Sequence, residues 1–415
     1  MRRIPLVLAY MCAAALALEG SALGQNSALE FAGLPFVQLA ELTASDGEIG
    51  DALGWSIAMS GNTVVVGSIN ANGYGAGAVY VFVKPQNGWA NATQVAKLTG
   101  NGSIGSEFGS SIAISGNTVV VAQNADSQSS GVCVFVEPAG GWVDMSPTAV
   151  LSTSDGNGVG TVAISGNTIV AGSAGETVNG NSGQGAAYVY VRPAGGWSNL
   201  TQNAKLTASN GEMGDGLGSS VAVSGNTVVT GAYGVNQQSG AAYVFVKPAR
   251  GWEDMTQTAE LGYTRAAAGQ EFGLSAAIDS GTIVVGAPSY NARIQAGAAY
   301  VFVEPAGGWV NTNQTAALTS PGANNLGASV SVNDGVVVAG APDTTSDGVD
   351  AQGAANVFVE PVGGWKTTSH YQYQLSAGGS FSGFGFAVAN IGTTVVAGAW
   401  DAVNFGPGAA YVFGP

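Results

Sequence analysis

The chain has 415 residues, 65 of them glycine, with 46% hydrophobic and only 9% charged residues and a formal net charge of −15. So negative a chain argues against a nucleic-acid backbone or an anionic membrane surface as its main partner, and so few charges argue against disorder. Glycine lacks the every-third spacing of collagen, and a single histidine leaves no material for a histidine-ligated metal cluster.

The chain starts with a targeting segment. Arg2 and Arg3 precede an apolar run from Ile4 to Leu18, and small residues lead to Ala22-Leu23-Gly24. That order predicts a secretory signal peptide over residues 1–24, cleaved near Gly24. The run is short for a membrane span. The expected location is therefore outside the cytoplasm, extracellular or periplasmic, without membrane insertion after cleavage. Residues 25–35 read as a lead-in. Cys12 leaves with the signal, so Cys133 stands alone and no internal disulfide is expected.

From residue 36 to 415 the chain repeats itself. Gly-Trp pairs recur at Trp89, Trp142, Trp197, Trp252, Trp309 and Trp365, spaced by 53, 55, 55, 57 and 56 residues. A Ser-Gly-Asn type of turn recurs at Gly61, Gly116, Gly166, Gly225, Gly281, Gly335 and Gly392. An apolar residue followed by glycine recurs at Leu53, Phe108, Val159, Leu217, Phe272, Leu326 and Phe384. The last two markers count seven units of roughly 55 residues, which is the signature of one repeat architecture.

Within the first unit, Leu53–Ser60 reads as a strand and Gly61-Asn62 as a two-residue hairpin loop. Thr63–Gly67 is a second strand, apolar on both faces, and Ala78–Val83 a third, ended by Pro85. Gln94–Leu98 is the fourth. Short strands apolar on both sides belong in sheets covered on both faces, and stacked propeller blades supply that cover. The last unit stops after its third strand, while Ala40-Glu41-Leu42 stands alone before the first unit as a spare fourth strand. The expected fold is all-β: a seven-bladed β-propeller with four antiparallel strands per blade. The N-terminal strand should complete the last blade and so close the ring.

The pattern Phe272-Gly273, Val285-Gly286-Ala287-Pro288, Ala299-Tyr300-Val301-Phe302 resembles the FG-GAP repeat of integrin α-chain propellers and of many secreted bacterial proteins. Ala204-Lys205-Leu206-Thr207-Ala208-Ser209 is similar to the bacterial versions. The resemblance covers all seven units and implies a seven-bladed propeller, an extracellular location, and adhesion or ligand binding. The chain departs from integrins between the first and second strands. Their calcium loops need an acidic array there, whereas this chain has Ser-Gly-Asn-Thr or a near variant, with Asp279 and Asp334 as the best-placed acids.

In such a propeller the loops between second and third strands, and those between blades, share one face. Here these loops vary, whereas the turns of the opposite face are nearly constant. Binding residues concentrate on loops held by a rigid scaffold, so the variable face is the candidate binding face. Tyr74, Tyr233, Tyr290, Trp400 and Phe405 offer flat apolar surfaces, with Asn291 among the nearby amides, a combination that suits sugar rings. Arg293 could meet an anion. Asp343, Asp347 and Asp350 share one loop and are the candidate Ca2+ ligands. The repeated tryptophans read as packing anchors. His370 lies on the other side and no triad assembles around it. The expected molecule is a secreted, non-catalytic, monomeric binding protein for a carbohydrate or cell-surface ligand. A protein-interaction scaffold and a glycoside-cleaving enzyme are the alternatives.

Overall fold

The computed structural model describes residues 36–73, 75–100, 105–123, 130–264, 268–289, 296–345, 351–377, 382–401 and 406–415. The expected signal and lead-in segments, residues 1–24 and 25–35, lie outside these residues. Seven antiparallel sheets follow one another along the chain. Blade 1 consists of Leu53–Ser60, Thr63–Ser68, Ala78–Val83 and Ala96–Leu98. Blades 2 to 6 repeat this order, and their first strands touch one another around the axis. Blade 7 has Val388–Ile391, Thr394–Ala399 and Ala409–Gly414, and its outer strand is Val37–Thr43 from the N-terminal end. That strand pairs antiparallel with Ala409–Gly414, Leu42 opposite Ala410 and Val37 opposite Gly414. The ring therefore closes by hydrogen bonds, as the spare strand foretold.

The second and third strands are buried over most of their length: Val64, Val65 and Val66 are all fully inaccessible, and exposure is confined to strand ends such as Val83. Burying such a side chain contributes roughly 1.5–3 kcal/mol. The cores lie between blades and not within them. Among the described residues there are seven clusters, each drawing on two neighbours. The one between blades 3 and 4, for example, joins Val170 and Val189 to Val228, Tyr243 and Trp252. Trp142, Trp197, Trp252, Trp309 and Trp365 are buried in these clusters, which makes them the anchors their repetition suggested.

The fourth strand is shorter than the sequence indicated, Ala96–Leu98 instead of Gln94–Leu98. The chain between Trp89 and Ala96 has other work. Ala92 and Thr93 run parallel to Leu42 and Thr43, the outer strand of the preceding blade. The same clasp joins Leu98 to Met145, Leu151 to Leu200, Leu206 to Met255, Leu261 to Thr312 and Leu318 to Thr368. Side chains reinforce it. The Glu41 N–H donates to Asn91 Oδ1 (2.9 Å), Val150 N–H to Asn199 Oδ1 (2.8 Å) and Lys205 N–H to Asp254 Oδ1 (2.8 Å). Gln202 accepts from Ser154 N–H (2.9 Å) and donates to Ser154 Oγ (2.7 Å). An outer strand would otherwise present unpaired backbone groups, an invitation to pair with another chain. Six outer edges are thus covered by the blade that follows.

Glycine and a hydroxyl make a second joint, on the inner side. At Gly231, the end of a second strand, an added Cβ would stand 1.7 Å from Gly273 O of the next blade. The space is used by Ser220, whose hydroxyl donates to that same carbonyl (2.8 Å). Gly273 itself sits at φ +97, where only glycine is unstrained. Ser56, Thr161, Ser275 and Ser329 make the same bond to Gly109, Gly218, Gly327 and Gly385.

The junction of blades 2 and 3 differs. Ala122 occupies the glycine slot, and blade 3 is one residue short after its glycine, Val159-Gly160-Thr161 against Leu217-Gly218-Ser219-Ser220. Gly160 is not in the left-handed region, and the Ser111 hydroxyl accepts from Val162 N–H (3.0 Å). The pair Val159-Gly160 is therefore not the equivalent of the other six. A methyl group on one blade and a lost residue on the next go together.

Candidate ligand-binding face

The loops between blades and those between second and third strands do meet on one face. At six of the seven junctions the glycine before the third strand bridges in parallel to the apolar residue opening the next blade, as Gly77 does with Phe108 and Gly240 with Phe272. The face is built on these bridges. Of the residues expected there, Tyr74, Tyr290, Asn291, Arg293 and Phe405, with Asp347 and Asp350, lie outside the described residues. Three can be placed. Tyr233 is half-buried beside Gly216 of the loop entering blade 4. Asp343 accepts from the Asn325 side chain, and its carbonyl from Asn324 Nδ2 (3.2 Å), so it fastens its loop to the neighbouring one. Among the described residues no three His, Cys, Asp or Glu side chains converge as a metal site would require.

Trp400 does not stand alone. Its ring lies 5.8 Å from Trp55 and 6.2 Å from Phe386, and those two are 4.6 Å apart. The three half-buried rings gather at the inner rim of the face, where blade 7 meets blade 1. Trp55 and Phe386 follow the glycine of their apolar–glycine pairs, a place held by small residues or leucine in the other full-length copies. Blade 7 has Ala387 where most blades carry the joint hydroxyl, and rings pack there in its stead.

Two loops of the face are copies of each other. Ser45-Asp46-Gly47-Glu48-Ile49-Gly50-Asp51 enters blade 1, and Ser209-Asn210-Gly211-Glu212-Met213-Gly214-Asp215 enters blade 4. In each, the aspartate accepts from the glutamate N–H through Oδ2, at 2.9 Å for Asp51 and 2.7 Å for Asp215. Burial raises the Asp215 carboxyl above its ordinary range; the hydrogen bond from the Glu212 N–H opposes this and the Glu212 charge adds to it. A glycine with φ +86 or +84 follows the apolar tip. These turns hold Ile49 and Met213 outward, 82% and 75% exposed. Isolated exposed apolar residues are ordinary, but two at matching places on one built loop design are not a random scatter.

Lysines pin the loops from below. Lys205 on the outer strand of blade 3 contacts Asp155 Oδ2 and Glu176 Oε1, both at 2.8 Å, and lies over the Tyr188 ring. Burial alone would lower the Lys205 amine, but the two carboxylates hold it above its usual value. Burial pushes Asp155 upward, and hydrogen bonds from Lys205 and Tyr188 outweigh it, leaving the carboxyl below the usual range. Lys97 repeats the device in blade 1 with Asp46 (2.6 Å) and Asn72 (2.7 Å). A groove of about 540 Å³ opens beside Lys205, between residues 177–179 and 254–256.

On the opposite face His370 borders a cavity of about 270 Å³ next to Trp365, with Lys366 and Gln372 but no carboxylate in its lining. Cys133 is buried, its Sγ 3.2 Å from Gln123 Oε1.

The FG-GAP repeat family matches residues 36–82, 92–134, 200–245 and 255–302. No curated protein matches the sequence. Each matched stretch starts at or just before the outer strand of one blade and ends in the third strand of the next, the phase that the ring closure requires. The four stretches leave out the three inner strands of blade 3, which is one residue short, of blade 6, which has Asn356 in the tyrosine place, and of blade 7, which has Ala387. Propellers of this kind serve binding or scaffold roles and are generally non-catalytic. The chain thus carries four FG-GAP repeats within a closed ring of seven like blades, an architecture consistent with an FG-GAP β-propeller protein.

Proposed function

We propose that the protein is a secreted, non-catalytic binding protein that engages a cell-surface ligand through its variable loop face. The observation that carries this reading is the pair of copied loops presenting Ile49 and Met213. They belong to blades 1 and 4 and so sit well apart around the ring, a spacing that suits a macromolecular surface better than a small free ligand. The leader sequence supports export. The Trp55, Phe386 and Trp400 rings favour a second reading, a sugar ring stacked at the inner rim.

Both readings are separable in one set of measurements. The purified mature chain is applied to a glycan array and to intact cells, beside Ile49→Asp/Met213→Asp and Trp400→Ala. Loss of cell binding by the double variant, with an unchanged melting temperature, is the expected result. Loss of glycan binding by Trp400→Ala alone would favour the sugar reading. A wild-type chain silent in both assays, or binding indifferent to both variants, refutes the loop face as the site.

A further inference from the structure

Six outer strands are clasped by the blade that follows, and the clasp keeps a nearly fixed offset. In five of them the pairing residue lies six positions before the next outer-strand leucine: Ala92 before Leu98, Met145 before Leu151, Leu200 before Leu206, Met255 before Leu261 and Thr312 before Leu318. In the sixth, Thr368 lies seven before Leu375. For blade 6 the follower is blade 7, whose outer-strand leucine is Leu42. Six positions before it stands Phe36, the first described residue. Its ring stacks on Tyr373 of the blade 6 outer strand at 4.9 Å and 26°. Phe36, Tyr373 and Ala377 together cover the core between blades 6 and 7. The common offset and the observed stack thus agree on where the chain arrives.

We propose that the outer edge of blade 6, Tyr373–Leu375, is a strand-accepting surface whose occupant is the chain's own lead-in, residues 31–36. In the other clasps the tryptophan lies three residues before the pairing residue, which here is Gly33. Phe31 and Leu34 flank it and supply the apolar bulk. Where a side-chain acceptor precedes the pairing residue elsewhere, as Asn91 and Asn199 do, Pro35 stands here. This seventh clasp therefore depends on apolar contact and on backbone bonds. Ser376 follows its outer-strand leucine as Thr99 and Thr319 follow theirs, and the N–H groups of those two donate to the carbonyls of Met145 and Thr368 in their clasps. Cleavage of the leader near Gly24 leaves the lead-in on the mature chain.

The test is amide hydrogen exchange over residues 373–377, comparing the chain from residue 25 with the chain from residue 37. Exchange about tenfold faster in the shorter chain, with unchanged far-ultraviolet dichroism, is the expected result. A short chain that dimerises through the freed edge also supports it. If the truncation abolishes folding, Phe31→Asp/Leu34→Asp in the longer chain gives the same reading. Exchange unaltered in whichever variant folds overturns the proposal. So does a dimeric mature chain whose edge stays protected without the lead-in, because a second copy would then be the occupant.

Discussion

Replacing Gly231 by alanine should loosen one junction of the ring by about 4 kcal/mol. The added methyl would stand 1.7 Å from Gly273 O and 2.5 Å from Ser220 Oγ. The first contact is with backbone, so no side-chain rotation relieves it, and the second is relieved only by moving the Ser220 hydroxyl off its acceptor. Two costs combine. Displacing the Ser220 hydroxyl leaves a buried carbonyl with only the long contact from Ser219 Oγ (3.4 Å), roughly 1–3 kcal/mol. Forcing the blades apart to admit the methyl costs a further 1–3 kcal/mol, by the usual scale of overpacking. The contrasting change is Ala122→Gly. The native junction already accommodates that methyl, so its removal should cost only about 1 kcal/mol, mainly backbone entropy. Urea unfolding of the purified mature chain measures both, provided the transitions are cooperative and the slopes agree. Gly231→Ala within about 0.5 kcal/mol of wild type, or Ala122→Gly the costlier of the two, would refute the argument.

Other outcomes follow from the clasps and the lysines. Asn199→Ala removes the acceptor for Val150 N–H and should cost about 1 kcal/mol in urea unfolding. Asn199→Asp should cost much less, since Asp144 and Asp254 do the same work in neighbouring clasps. Lys205→Met strands Glu176, whose side chain is 3% exposed, and should cost about 3 kcal/mol at neutral pH. Lys97→Met should cost under about 1 kcal/mol, because its partner Asp46 is 46% exposed. The lowered Asp155 contributes stability that is complete above its unfolded value and is lost as pH falls through its folded value. The raised Lys205 contributes below its unfolded value and loses this as pH rises through its folded value. The gap between wild type and Lys205→Met in urea should therefore narrow below about pH 4, and a gap that widens there would contradict this pairing.

The ring was legible because its instructions are written repeatedly. The turn glycines, the buried tryptophans and the spare N-terminal strand each fix one step of the topology. The clasp was not legible, although its signal is in the sequence: Asn91, Asp144, Asn199, Asp254 and Asn311 each stand two residues after a tryptophan. Polar residues in a turn read as solvated, and only pairing across two units shows the carbonyl oxygens facing backbone donors. The joint hydroxyls were missed for the same reason, since Ser56 or Ser220 alone looks like an ordinary strand residue. On the binding face, loop aromatics were visible but their company was not. Trp55 and Phe386 sit in strand openings, and only ring closure brings blade 7 against blade 1. Ile49 and Met213 were hidden by the acids around them, which the structure uses in part to tie backbone turns.

The placement of the cores has a bearing on how such a molecule could arise. A single blade owns no interior: each apolar face is finished only by a neighbour. The matched sequence unit, moreover, runs from the outer strand of one blade into the third strand of the next. The unit that a duplication copies is therefore offset from the unit that the eye counts. Every copied stretch arrives already straddling a junction, carrying both halves of a shared interior and the clasp that binds them. A ring can then gain or lose such a stretch without leaving a raw face at the scar.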